Sequence, residues 1–245
     1  MHTPSDAHHF KMSAGGSLFS MRKEPIVTGE YYHIYSRGVD RRPTYNSDED
    51  CVRFTWGMIA FNNACKQEVR LSRFRNAPKR SRFPLVQILC YAIMPNHYHF
   101  LIKQLVDGGV ALFMQRLGAG YSCYFNRQND RTGCLWESEY KAVRIENDAQ
   151  LLHVSRYIHL NPLKLFFPDW KVHGVPSWND AHTALMSYPW SSYQCFLKKQ
   201  SNEAIDAGML FSMFDDGNDY CDFLRMWVVP MSAPEARQLS TLTRS

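Results

Sequence analysis

Residues 86–94 (Val-Gln-Ile-Leu-Cys-Tyr-Ala-Ile-Met) form a near-continuous apolar run, closed by Pro95-Asn96 and followed by His-Tyr-His-Phe-Leu-Ile-Lys over 97–103. An unbroken apolar run of this length reads as a central strand, and the Pro-Asn pair as a turn. The chain then returns as a second strand beside the first. Successive side chains on a strand point to opposite faces of the sheet. His97 and His99 therefore share one face, while Tyr98, Phe100 and Ile102 enter apolar packing on the other.

The remaining elements fall in place around that hairpin. Residues 30–36 (Glu-Tyr-Tyr-His-Ile-Tyr-Ser) are aromatic and β-prone, with Gly38 as punctuation, and predict a first strand. Ser47 with Asp50 is a variant capping box, and Val52, Trp56, Ile59 and Ala60 give the following helix its apolar stripe. Asp107-Gly108-Gly109 breaks the chain before a helix through Leu112, Met114, Leu117, Tyr121, Tyr124 and Phe125. Residues 135–145 suggest a hairpin-like excursion that ends the sheet. Asn147 and Gln150 cap a third helix, buried along Leu151, Val154 and Ile158. Pro162 stops it, which predicts Asn161 at a fraying turn outside the α region. Strand, helix, strand, strand, helix, strand, helix is an α+β order of the split βαβ kind, an antiparallel sheet with helices on it.

The organised sequence is expected to begin at Met21, after a flexible tail over 1–20 without the basic-then-apolar pattern of a signal peptide. Residues 21–165 would form the main domain, and 166–245 an aromatic extension on the same core, with a helical stretch near residues 209–227. With 45% hydrophobic and 14% aromatic residues the chain is globular, and no apolar run reaches the roughly 20 residues of a membrane span. Seven cysteines form no Cys-x-x-Cys pair and are odd in number, which fits a reducing cytoplasm. The net charge of +5 is modest, but its distribution is uneven. Lys66, Arg70, Arg73, Arg75, Lys79, Arg80 and Arg82 are opposed only by Glu68, a pattern that neutralises phosphates or merely solvates a loop.

Two imidazoles on one strand face can grip a divalent cation, although histidines on half-buried strands are often simple hydrogen-bonded groups. Tyr157 and Asn161 lie four apart on the third helix and stack one above the other. Two neutral imidazoles and an amide oxygen leave a bound cation its full charge, and suit Mn²⁺ or Mg²⁺. A phenol with pKa near 10 is ionised at about one part in a thousand at neutral pH, so it needs a polarised phosphate to attack. Attack by Tyr157 would keep the phosphodiester energy in a covalent link, which is strand transfer. Two other classes stay open on the residues alone: a water-using metal nuclease, and a DNA- or RNA-binding module without catalysis.

Several stretches in order resemble a known family: Tyr-His-Ile-Tyr-Ser-Arg-Gly-Val-Asp (32–40), Met-Pro-Asn-His-Tyr-His-Phe-Leu-Ile (94–102) and Tyr-Phe-Asn (124–126). Gly-Cys-Leu-Trp-Glu (133–137), Tyr-Ile-His-Leu-Asn-Pro (157–162) and Pro-Trp-Ser-Ser-Tyr (189–193) continue the series. The chain resembles the HUH single-tyrosine, IS200-like transposases, and most closely the REP-associated tyrosine transposases. The resemblance implies a ferredoxin-like HUH palm with His97, His99 and Asn161 as metal ligands and Tyr157 as nucleophile. It further implies cleavage and rejoining of single-stranded DNA at hairpin ends through a 5′-phosphotyrosine, by a cytoplasmic, nucleoid-associated monomer or homodimer. Arg37, Arg41, Arg42 and the basic insertion would then hold hairpin phosphates. Tyr121 and Tyr124 read as packing or stacking residues.

Overall fold

The computed structural model describes residues 25–65 and 76–228; the expected tail and Lys66, Arg70, Arg73 and Arg75 lie outside the described residues. Six elements make the palm: β1 (Tyr31–Arg37), α1 (Asp48–Ala60), β2 (Val86–Met94), β3 (His97–Gln104), α2 (Gly109–Gln128) and β4 (Lys141–Ile145). The sheet runs β2-β3-β1-β4, with every neighbouring pair antiparallel. That is the ferredoxin-like split βαβ arrangement, in which β3 separates the two strands joined by α1.

Alternation divides the sheet into two unlike faces. On the first, α1 and α2 pack on the even-numbered residues of β3. Phe54 of α1 stacks on Phe100 with ring centroids 6.1 Å apart, and lies 5.2 Å from the ring of Tyr98. Tyr121 closes the cluster edge-on at 5.1 Å from Phe54, and its hydroxyl donates to the Thr44 carbonyl at 2.6 Å. Tyr121 is therefore packing. Tyr124 lies on the same helix with the Arg53 guanidinium 5.1 Å above its ring. The close crossing of α1 and α2 depends on Gly120, where a β-carbon would meet Phe61 Cζ at 2.7 Å.

The second face carries α3 (Asp148–Leu160), which packs over β2 and β3. Both predicted caps form: Ser47 Oγ accepts from the Asp50 amide at 3.3 Å and Asn147 Oδ1 from the Gln150 amide at 2.9 Å. Beyond α3 come α4 (Leu163–Phe166), α5 (Trp170–His173), α6 (Trp178–Ser187), α7 (Tyr193–Leu197), α8 (Gly208–Phe211) and α9 (Gly217–Val228). The segment between α6 and α7 runs along β2: the Ile93 amide donates to the Trp190 carbonyl at 2.8 Å and the Ser192 amide to the Tyr91 carbonyl at 3.0 Å. These bonds satisfy the outer edge of β2, which would otherwise invite pairing with another chain. His159 ties α3 to the same region: fully buried, it lies 2.5 Å from Tyr220 Oη through Nδ1 and 2.8 Å from Ser192 Oγ through Nε2.

Three local expectations differ. Asn161 sits in the right-handed helical region (φ −56°, ψ −41°) despite the following proline, and α4 resumes at once. Burial of its side chain to 7% exposure, against His97 and Tyr157, overrides the steric preference. Residues 135–145 make a single strand, β4, with one isolated bridge from Trp136 to Gly38 in place of a hairpin. Leu135 and Trp136 are spent on covering the aromatic face instead. The stretch near residues 209–227 is two helices, broken between Phe211 and Gly217.

Candidate active site

Register brings the odd-numbered residues of β1 beside those of β3: Tyr35 faces His99 and Arg37 faces His97. The rings of His97 and His99 lie 5.0 Å apart and nearly perpendicular. One turn before the end of α3, the phenol of Tyr157 stands edge-on to His99 at 5.3 Å. The Asn161 side chain, one turn further, hydrogen-bonds toward both His97 and Tyr157. The four residues expected to share a site thus meet in one place, within a single chain.

The two imidazoles are oriented from behind. Asn96 donates its amide N–H to the Arg41 carbonyl at 2.8 Å, which turns Asn96 Oδ1 toward His97 Nδ1 at 2.7 Å. An oxygen there requires the proton on His97 Nδ1, so in the neutral ring Nε2 carries the lone pair. His99 Nδ1 lies 2.9 Å from His33 Nε2, a residue of β1 that sequence reasoning did not single out. When His99 donates to His33, its own Nε2 is likewise a bare ligand nitrogen. Such outer hydrogen bonds fix the tautomer of metal-binding histidines. The signal for His33 was present in the β1 alternation, but only the register of β1 on β3 reveals its partner.

Burial shapes the charges. It pushes His33 and His97 down to about 4, with Arg37 adding to the effect at His97. His99 is held well below the ordinary imidazole range by burial, then by its two histidine neighbours. All three are neutral at physiological pH, as ligands must be. Burial raises Tyr157 above the usual phenol value, opposed by the Asn161 hydrogen bond and by Arg37. A second cation stands close, with Lys171 Nζ of α5 at 4.9 Å from the centre of the Tyr157 ring.

Among the described residues no three His, Cys, Asp or Glu side chains converge on a point where a metal could sit. A third protein ligand at this site would have to be the amide of Asn161. The donor set of two neutral imidazole nitrogens and one amide oxygen fits a divalent cation.

The basic residues divide. Arg37 is at the site. Arg41 and Arg42 are exposed on the adjoining loop, where Arg42 pairs with Asp40 at 2.8 Å. Arg80 is tied to the C-terminal region: it pairs with Asp206 at 3.1 Å, its guanidinium donates to the Asn202 and Ile205 carbonyls, and its amide donates to Glu203. Lys79 and Arg82 are exposed on the same segment, which leads into β2.

With fold and site described, comparison with known proteins adds the class. Residues 60–161 match the family described as Transposase IS200 like. Among solved structures, the chain is similar to a REP-associated tyrosine transposase bound to a REP hairpin, at 12% identity over 77% of this chain and 94% of that one, with a TM-score of 0.45. It is also similar to tRNA(His) guanylyltransferase from Saccharomyces cerevisiae, at 11% identity over 75% and 83% of the two chains, with a TM-score of 0.34. No curated protein matches it. No helix among the described residues is long and apolar enough to cross a membrane.

Proposed function

We propose that this protein is a divalent-metal-dependent strand transferase acting on single-stranded DNA with hairpin ends, and that Tyr157 is its nucleophile. The observation that supports it most is the convergence of Tyr157, His97, His99 and Asn161 at one site, with the phenol ring 5.3 Å from that of His99. Residues 21–165 would be the catalytic unit and 166–245 the extension that braces α3.

His97 Nε2, His99 Nε2 and Asn161 Oδ1 would hold Mg²⁺ or Mn²⁺, which when bound supplies positive charge to the scissile phosphate. Tyr157 Oη gives its proton to solvent and forms a bond to phosphorus. The bond from phosphorus to the 3′ oxygen breaks, and that oxygen leaves as a hydroxyl after taking up a proton. The product is a 5′-phosphotyrosine, and a free 3′-hydroxyl reverses the step without ATP. Arg37 lowers the cost of the phenolate, which burial alone makes larger than in water. Asn161 holds the phenol while offering its oxygen to the cation. The Tyr157 ring lies beside His99 of its own chain, so one copy would hold a complete site on this reading.

The test is a denaturing gel after incubation with labelled single-stranded hairpin DNA and Mn²⁺. Wild type should give a DNA-linked protein band, and Tyr157→Phe and His97→Ala should give none. Cleavage that survives Tyr157→Phe would assign the chemistry to water. Binding without any wild-type band would reduce the protein to a binding module.

A further inference from the structure

The site occupies only half of its sheet face. α3 covers β2 and β3, while among the described residues most of the β1–β4 half is open: Val143 is 47% exposed, Lys141 is exposed, and Tyr31, His33 and Tyr35 are partly so. The side chains on this half are Tyr31, His33, Tyr35 and Arg37 of β1 with Lys141, Val143 and the buried Ile145 of β4, and Lys103 of β3 adjoins them. None is acidic.

Aromatic and basic residues are paired across the strands. Tyr31 lies opposite Lys103, whose Nζ is 5.1 Å from the ring centre, and Tyr35 lies opposite Lys141, at 5.9 Å. Among the described residues no carboxylate forms a salt bridge with Arg37, Lys103, Lys141 or Lys171. Tyr31 and Tyr35 are four residues apart on one strand, about 13 Å. The track has a direction, because the Tyr35 ring is 5.7 Å from that of His99.

We infer that this open half-face is a binding track for single-stranded DNA, with Tyr31 and Tyr35 as stacking stations for two bases and Lys103, Lys141 and Arg37 on the phosphates between them. The chemistry singles out this partner. A protein helix laid here would bury unpaired lysines, at a cost of several kcal/mol each. Duplex DNA hides its base faces inside the stack. A single strand offers bases to the tyrosines and phosphates to the lysines, the combination used by sequence-tolerant binding grooves. The track delivers its end to Tyr157, a statement that rests on the reading of that residue as nucleophile.

The test is fluorescence anisotropy of the full chain with labelled dT12, in EDTA so that no cleavage intervenes. Tyr31→Ala and Tyr35→Ala should each weaken binding roughly five- to a hundredfold, with Tyr31→Phe and Tyr35→Phe near wild type. Lys103→Gln and Lys141→Gln should each flatten the slope of log affinity against log salt by about 0.7. The inference is overturned if wild type fails to bind dT12, or if the alanine variants bind it unchanged. It is equally overturned if those variants alter self-association instead of binding, or if rA12 binds more than tenfold tighter than dT12. Weaker dT12 binding by the alanine variants, together with no covalent band from wild type, would leave the track standing and sink the transferase reading alone.

Discussion

The two faces of this sheet are built from the same strands and do opposite work. On one, Phe54, Tyr98, Phe100 and Tyr121 interlock with ring centroids 4.9–6.1 Å apart and leave no room for water. On the other, His33, His97, His99 and Tyr157 stand at similar spacings but are joined by hydrogen bonds and flanked by cations. A step of one residue along β3 moves from packing to chemistry. The lesson is that stability and reactivity are separable here at the level of single neighbours, which gives the comparison its tests.

The largest effect belongs to the reactive face. Tyr157→Phe should abolish the covalent band while leaving the melting temperature nearly unchanged, because the ring still packs against α5. A large drop in melting temperature would show that the hydroxyl is structural. Next, Phe100→Ala should cost about 3–5 kcal/mol of stability, read as a denaturation midpoint. If it costs less than about 1 kcal/mol, the aromatic face is not the stabilising one.

His33→Leu sharpens the division, since it removes only the acceptor behind His99. Mn²⁺ affinity, followed by electron paramagnetic resonance, should fall roughly 10- to 100-fold, with His33→Gln restoring part of it. Equal affinity in all three proteins would strip His33 of any positioning role. A further effect is graded with pH. Burial lowers His33 and His97 to about 4 and His159 to about 3, against roughly 6.5 in the unfolded chain. Below about pH 6.5 the unfolded chain takes up protons that the folded one refuses. Stability present above that pH should therefore decline as the pH falls toward 4. A melting temperature that stays level from pH 7 to 4.5 would contradict the burial of these rings.

Much of this was legible beforehand, for local reasons. The β2–β3 hairpin follows from the apolar run and the Pro-Asn turn, and the caps of α1 and α3 from Ser47 and Asn147. His97 and His99 sharing a face follows from strand alternation, and Tyr157 meeting Asn161 from helical spacing. Relations between distant segments were not legible. The bond from His33 to His99 and the approach of Lys171 to Tyr157 depend on register and on how α5 folds back. Asn161 kept helical geometry because tertiary contacts outweigh the local push from Pro162. Arg80, expected with the other basic residues to hold hairpin phosphates, pairs with Asp206, a contact no local pattern announced.

His159 lies two positions from Tyr157 on α3 and is locked between Ser192 and Tyr220. A shortened descendant ending before Ser192 would leave an imidazole facing a void on the back of the very helix that carries the phenol. The C-terminal third cannot be shed as an ornament. Its inheritance is bound to that of Tyr157.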